Sequence, residues 1–440
     1  MNRSGLFQGR GGLGWTPVLL LFFWAATLGA EPVTDTHFHP CPFGEKSQCV
    51  ALADMIPEMD SVGIQTAWVF GLQHQLLSDP GDLAQWPRTN SCPLVEPMTF
   101  PGEADASQPS IERCREIHRA LDGRRPFHYN DPCAKPGWPV APNSRADEWI
   151  FGQYVELPEE AKARIKPFRS YLDFDDPCAR DENGERRNLA YVQAMDRKYP
   201  GVIHGFAEHN LNKIVLYSHD SCRPDAKQLR RCSRGLMKYI APSQRPLGIH
   251  FDLEDVLGNS FQEILLGFAR KHPKNVLIWL HGGIAPEVSD RLTAREHIAA
   301  MEAFLATSPG KRYVELSWWN GFFRRLDPEA LEKDQFGWPI DRNLEAEREL
   351  YRQFFYRHRK SLLFGSDQVS LFYDEMVVDG LKLHAGYDDN YRKEISKQQQ
   401  ALRELIDLET PEGKELWNSI LHGNAQRILD NIVWSEAMGK

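Results

Sequence analysis

Between residues 32 and 365, short apolar runs rich in β-branched and aromatic residues alternate with stretches of helical spacing. The runs predict strands at 32–39 (PVTDTHFH), 65–72 (QTAWVFGL), 165–174 (IKPFRSYLDF), 202–208 (VIHGFAE), 247–252 (LGIHFD), 275–281 (NVLIWLH), 312–317 (RYVELS) and 361–365 (SLLFG). Helical patterns lie between them at 52–62, where Gly63 is a stop signal, and at 189–198, 260–271, 294–307 and 345–357. Strands alternating with helices imply a parallel sheet, and eight such strands imply a closed (β/α)8 TIM barrel rather than an open doubly wound sheet. Two more helical stretches, 397–407 and 411–430, are expected to cover the outside.

One segment breaks this pattern. From residue 73 to about 160 the chain carries many Pro, Asp, Trp and Cys, with one predicted helix near 110–121. So long an irregular stretch within a barrel is usually functional, and it is expected to lie over the barrel mouth as an insertion after strand two. The eight cysteines, Cys41, Cys49, Cys92, Cys114, Cys133, Cys178, Cys222 and Cys232, all precede residue 233. No CxxC occurs, and an even number in an exported chain reads as disulfides that staple loops, with the pairing left open. Export is expected from the N-terminus. Arg3 and Arg10 precede the apolar stretch 15–28, and small residues follow to Ala30, the pattern of a signal peptide spanning 1–30. An uncleaved anchor is the alternative, but the run is short for a span of roughly 20 residues. The barrel then occupies 31–440 as a periplasmic or secreted protein, with no second long apolar run to hold it in a membrane. A net charge of −9 without a long basic run argues against a nucleic-acid partner. Oligomeric state stays open.

The candidate chemistry sits where the predicted strands end. His37 and His39 close the first strand, two apart and therefore on one face. Glu208 ends the fourth, His250 the fifth and His281 the sixth, and Asp367 follows the eighth. Singly, each histidine could be a hydrogen-bonded core residue, and Ser366-Asp367 could be a helix cap. Together they put imidazoles and carboxylates at the C-terminal end of a barrel, where active sites lie, in a combination suited to zinc or a similar divalent ion. Arg169 on strand three could bind a substrate carboxylate, and Trp318, with Trp319 and Asn320, could line the pocket.

Asp35-x-His37-x-His39, His250, His281, Gly365-Ser366-Asp367 and the late stretch 420–429 (ILHGNAQRIL) together resemble the amidohydrolase superfamily. The similarity is strongest to its amidohydrolase 2 branch of metal-dependent hydrolases and decarboxylases. The resemblance implies that His37, His39, His250 and Asp367 hold one metal ion, with His281 as acid/base or electrophilic group. With two ions, His250 and His281 would move to the second and Glu208 would bridge, since no lysine stands on strand four to carry a carboxylated amine. The implied activity is hydrolysis of a small-molecule amide, ester or lactone by metal-activated water, with Asp367 moving the proton. Decarboxylation on the same site is the runner-up. A non-catalytic exported metal-binding protein is the third reading.

Overall fold

The computed structural model describes residues 32–40, 50–71, 74–76, 140–142, 144–170, 187–212, 230–231, 233–253, 262–283, 293–317, 344–369, 376–378, 381–383 and 391–434. Residues 1–30, read above as a signal peptide, all eight cysteines, the helix expected at 110–121 and Trp318, Trp319 and Asn320 lie outside the described residues.

Every predicted strand is present. They are β1 (Val33–His39), β2 (Ile64–Val69), β3 (Ile165–Arg169), β4 (Gly205–Asn212), β5 (Leu247–Phe251), β6 (Leu277–Leu280), β7 (Arg312–Leu316) and β8 (Leu362–Phe364). A two-residue strand, β9 (Gln368–Val369), follows β8 at once. Neighbours pair in parallel in the order β8-β7-β6-β5-β4-β3-β2-β1-β9. The ring therefore closes through its eighth strand, which is split at residues 365–367: β8 pairs with β7, and β9 pairs with β1. This is the expected TIM barrel. Most boundaries differ by a few residues; the shift that matters for the site is in β4, which starts at Gly205 rather than residue 202 and runs on past Glu208 to Asn212.

The connecting helices are α1 (Leu52–Ser61), α2 (Ser144–Glu156), α3 (Glu159–Arg164), α4 (Arg187–Lys198), α5 (Arg234–Ile240), α6 (Gln262–Lys271), α7 (Ala294–Ala306) and α8 (Leu344–His358). After the barrel come α9 (Tyr391–Leu405), α10 (Pro411–Asn418), a π turn at Ser419–Gly423 and α11 (Asn424–Asp430). The short α5 was not expected. Nor were α2, which falls within the stretch read as irregular, and α3, which begins at its end. The buried residues Asp147, Ile150, Phe151 and Tyr154 recur at helical spacing along α2, but a carboxylate among them and the Pro-rich sequence before them obscure the stripe. Two short antiparallel pairs, His74–Leu76 with Val140–Pro142 and Met376–Val378 with Leu381–Leu383, complete the described strands. No helix among the described residues is long and apolar enough to cross a membrane.

Strand alternation divides the core in two. Trp68, Phe70, Phe168, Ala207, Ile278, Leu280, Tyr313 and Leu363 pack together with Ala425 and Ile428 of α11 and fill the barrel. The intervening positions, among them Ala67, Ile165, Leu247, Ile249, Leu277, Val314 and Phe364, pack under helix residues such as Met59, Phe151, Leu265, Met301 and Phe354. The late Gly-Asn-Ala-Gln-Arg run fastens α11 to the sheet. Its Asn424 Nδ2 donates to the carbonyls of Arg359 and Leu362 at the entry to β8, 2.7 Å each. Arg312 anchors β7 in a similar way. Its buried guanidinium donates to the carbonyls of Ala269, His272, Asn275 and Lys311 and to Thr307 Oγ1.

Arg312→Ala removes five hydrogen bonds made by a buried guanidinium and leaves its space empty, so a loss of about 3 kcal/mol of stability is expected. An unchanged midpoint in denaturant titration would contradict it. Burial also lowers His204 to about 3 and His272 to about 4, from 6.5. Both therefore fold as neutral rings, and the unfolded chain takes up their protons first. Their stabilising contribution is full above about 6.5 and is lost as the pH falls towards 4. The double variant His204→Gln/His272→Gln should show a smaller stability difference between about pH 8 and about pH 5 than the parent, whatever its absolute stability.

Candidate metal centre

Plain alternation along the strands would not build this site; each local departure from it turns a candidate ligand inward. On β1, Asp35 pairs with Ala67 and Phe38 with Val69, so three residues span two. Asp35 and Phe38 both face the outer layer, where each meets Tyr391 of α9. The bulge between them sends His37 and His39 into the barrel. A similar shift on β4, between Phe206↔Leu247 and His209↔Ile249, turns Glu208 from the face that carries Phe206 to the interior. His281 and Asp367 end their strands in the left-handed region, at φ 58° and 53°. Non-glycine residues rarely sit there unless their surroundings hold them, and such positions cluster at functional sites. On β5 and β7 ordinary alternation suffices: Gly248 and His250 point inward, as do Tyr313, Glu315 and Ser317.

The result is a compact cluster at the C-terminal end of the barrel. His37 Nε2 lies 3.1 Å from His39 Nε2 and 3.0 Å from Asp367 Oδ1. His39 Nε2 is 3.4 Å from Asp367 Oδ1 and 3.7 Å from Glu208 Oε2. Glu208 Oε1 is hydrogen-bonded to His250 Nδ1 and lies 3.5 Å from His281 Nε2. Three overlapping groups each bring metal-ligating atoms within 4.8 Å of one another: His37/His39/Glu208, His37/His281/Asp367 and Glu208/His250/His281.

The far side of each ring is held by an outer partner. His39 Nδ1 donates to the Phe70 carbonyl at 3.2 Å. His250 Nε2 bonds Asp252 Oδ1 at 2.9 Å, His281 Nδ1 bonds Ser317 Oγ at 2.7 Å, and His37 Nδ1 faces Glu315 Oε2 at 3.4 Å. This is how proteins orient metal-binding histidines and choose their tautomer. Beneath the cluster, Asp35 accepts from the backbone N–H groups of His37 and Ser366, from Ser366 Oγ and from Tyr391 Oη, and so ties β1 to the break in the eighth strand.

Charge in this pocket is strongly coupled. Burial drives Asp35 up to about 6. Burial opposes the charged form of His37, but the Asp367 and Glu315 carboxylates outweigh it and raise the ring well above its ordinary value. For His39 burial wins, and the ring is lowered. Burial also pushes Asp367 up, yet His37 and His281 prevail and hold it well below the usual carboxylate range.

His37, His39, His250 and His281 are exposed by no more than 2%, Glu208 by 3% and Asp367 by 7%. Six ionisable groups this deeply buried are costly unless paired or bound to a cation. Borderline nitrogen donors mixed with carboxylate oxygens suit zinc and its neighbours, so the residues present fit a divalent ion.

All six predicted ligand or acid/base residues thus meet in one place. Arg169 does not join them: it faces the outer layer from β3, where its Nε lies 3.4 Å from Asp147 Oδ2 of α2. Four participants escaped the sequence reading, namely Glu315, Ser317 and Asp252, and Asp35 in its bonding role. A signal for Glu315 was present, since a carboxylate flanked by valine and leucine in RYVELS is costly to bury without a partner.

No family model matches the chain, and no curated protein matches it. Solved structures do. An amidohydrolase from Burkholderia multivorans with bound zinc is 9% identical, covers 90% of this chain and 99% of its own, and has a TM-score of 0.48. A probable 2-pyrone-4,6-dicarboxylic acid hydrolase from Acinetobacter baumannii with citric acid bound is 11% identical, with the same coverage and a TM-score of 0.42. A 2,6-dihydroxybenzoate decarboxylase in complex with 2,6-dihydroxybenzoate is 12% identical, covers 90% and 99%, and has a TM-score of 0.38.

Position 365 is the tightest point of the site. A Cβ on Gly365 would lie 2.0 Å from Glu315 Oε1 and 2.9 Å from His37 Cβ. Gly365→Ala should therefore displace Glu315 or His37 and weaken zinc uptake at least tenfold, measured against a chromophoric chelator. Unchanged affinity would mean that the strand break can yield without disturbing the ligands.

Proposed function

We propose that this chain is a metal-dependent hydrolase of the amidohydrolase kind, acting on a small molecule at the barrel mouth. The observation that carries the reading is the convergence of six buried imidazole and carboxylate groups, in which the outer nitrogens of the four histidines are already held and their inner nitrogens meet the two carboxylates. His37, His39, His250 and Asp367 would hold one ion. If a second binds, Glu208 would stand between them, since it belongs to two of the three overlapping groups. Zinc is the first choice for such donors.

When bound, a divalent ion of this kind supplies Lewis acidity, polarising a substrate carbonyl and acidifying water. The chain's own groups supply the rest. Asp367, kept ionised by His37 and His281, can take a proton on its carboxylate and return it to a leaving group. His281 directs Nε2 inward while Ser317 holds Nδ1, so it can stabilise negative charge developing on a carbonyl oxygen. The apolar floor of Phe70, Phe168 and Leu280 closes the barrel beneath the site to water. The reading extends to an exported enzyme whose substrate is an amide, ester or lactone. Decarboxylation stays as the second chemistry that the same groups support.

Metal content per chain tests this first. About one ion, lost in His37→Ala and kept in Glu208→Ala, is expected for a mononuclear site. About two, falling towards one in Glu208→Ala, would make Glu208 a bridge. No ion under conditions that do not strip it would overturn the proposal. On a panel of lactones, esters, amides and aromatic carboxylates, turnover should vanish with a chelator and return with zinc. Release of carbon dioxide without hydrolysis would decide for the decarboxylase.

A further inference from the structure

Glu315 stands apart from the six converging groups, yet it reaches two of them and the serine that holds one of those two. It lies on β7 with no exposed surface. One carboxylate oxygen, Oε2, is approached from three sides: by the backbone N–H of His281 at 3.0 Å, by Ser317 Oγ at 2.7 Å and by His37 Nδ1 at 3.4 Å. Its other oxygen has no hydrogen-bond partner among the described residues and lies against Gly365, in space open only because that residue has no side chain.

Proton counting orients this network. Glu315 Oε2 already accepts from the His281 backbone N–H, and Ser317 gives its single hydroxyl proton to the same oxygen. The Ser317 oxygen, 2.7 Å from His281 Nδ1, must then accept, which places the His281 proton on Nδ1 and turns Nε2 towards Glu208. His37 likewise donates from Nδ1 to Glu315 and turns Nε2 towards His39 and Asp367. These two rings belong to different strands, and between them they enter all three groups of metal-ligating atoms.

We propose that Glu315 is the positioning residue of this site, orienting His37 directly so that its Nε2 faces the ion, and His281 through Ser317 so that its Nε2 faces into the site. The proposal rests on the metal-centre reading for what those nitrogens bind. It also accounts for residue types that the six converging groups leave unexplained: a serine two positions beyond the glutamate on the same inward face, and a glycine where the eighth strand breaks.

The test combines zinc titration, melting in the metal-free state and long-range proton–nitrogen NMR of the histidine rings, on the parent, Glu315→Gln and Ser317→Ala. Glutamine keeps the shape and an acceptor oxygen but loses the charge. Glu315→Gln is expected to bind zinc roughly 10–100-fold more weakly while its metal-free melting temperature stays close to the parent's, a combination that a merely structural role would not give. In Ser317→Ala, His281 should lose its single Nδ1–H form while the His37 contact to Glu315 is kept. Unchanged zinc affinity in Glu315→Gln overturns the proposal, and so does a His281 ring that keeps one Nδ1–H form in both variants. Should Glu315→Gln fail to fold, Ser317→Ala still decides, because it leaves the carboxylate in place. A parent protein that takes up no zinc overturns the metal reading alone, and the His281 tautomer in Ser317→Ala, measured without metal, still judges the Glu315–Ser317 link.

Discussion

Desolvation governs this structure. Six ionisable side chains are packed at one end of the barrel, out of water, and each is tolerable only because of the others. The same burial that raises Asp35 and lowers His39 would raise Asp367, were it not for the imidazoles around it. Take away one member and its neighbours are left as isolated buried charges, several kcal/mol worse off than in water. The barrel makes this arrangement possible by lining its interior with aromatic and aliphatic side chains from six of its strands. The cluster in turn dictates what the strand ends must do: bulge on β1 and β4, and turn left-handed after β6 and β8.

Much of this was legible in the sequence, for a definable reason. The eight strands are buried on at least one face and often both, so they read as apolar runs with clear edges. The helices between them carry ordinary amphipathic spacing. The ligands stand out because a histidine or acid directly after such a run is seldom there for packing alone. The obscured parts are those where local sequence and tertiary role separate. Along α2, Asp147 interrupts the apolar stripe because it meets Arg169, and Arg169 looked like a substrate group for the same reason: each made sense only once the partner was known. The Glu208 strand was placed three residues early because Val202, Ile203 and His204 are buried like strand residues although they precede it. Glu315 was passed over because it sits inside a strand rather than at its end, and an interior acid announces a partner without saying which.

The left-handed backbone at His281 and Asp367 gives the same lesson from the opposite direction. His and Asp tolerate that conformation better than most side chains, but nothing in the two local sequences demands it. Glycines follow His281, and a glycine stands two residues before Asp367, so the chain is locally pliable without being told where to turn. The turn is imposed by the hydrogen bonds around it, from the His281 backbone to Glu315 and from Ser366 to Asp35. Such strain persists only within a scaffold that defines both sides of it.

The split eighth strand has a kinetic side. The bond between Ser366 and Asp35 joins residues 331 apart in sequence, the seam at which the first strand meets the last. Closing a loop of that length carries an entropic cost that local helices and neighbouring strands do not face, so ring closure belongs to the late steps of folding. Asp367 occupies the gap at the seam, and His37 and His39 stand on the strand across it. A chain whose ring has not shut lacks the assembled set of candidate ligands, so the cluster is a report on topological closure.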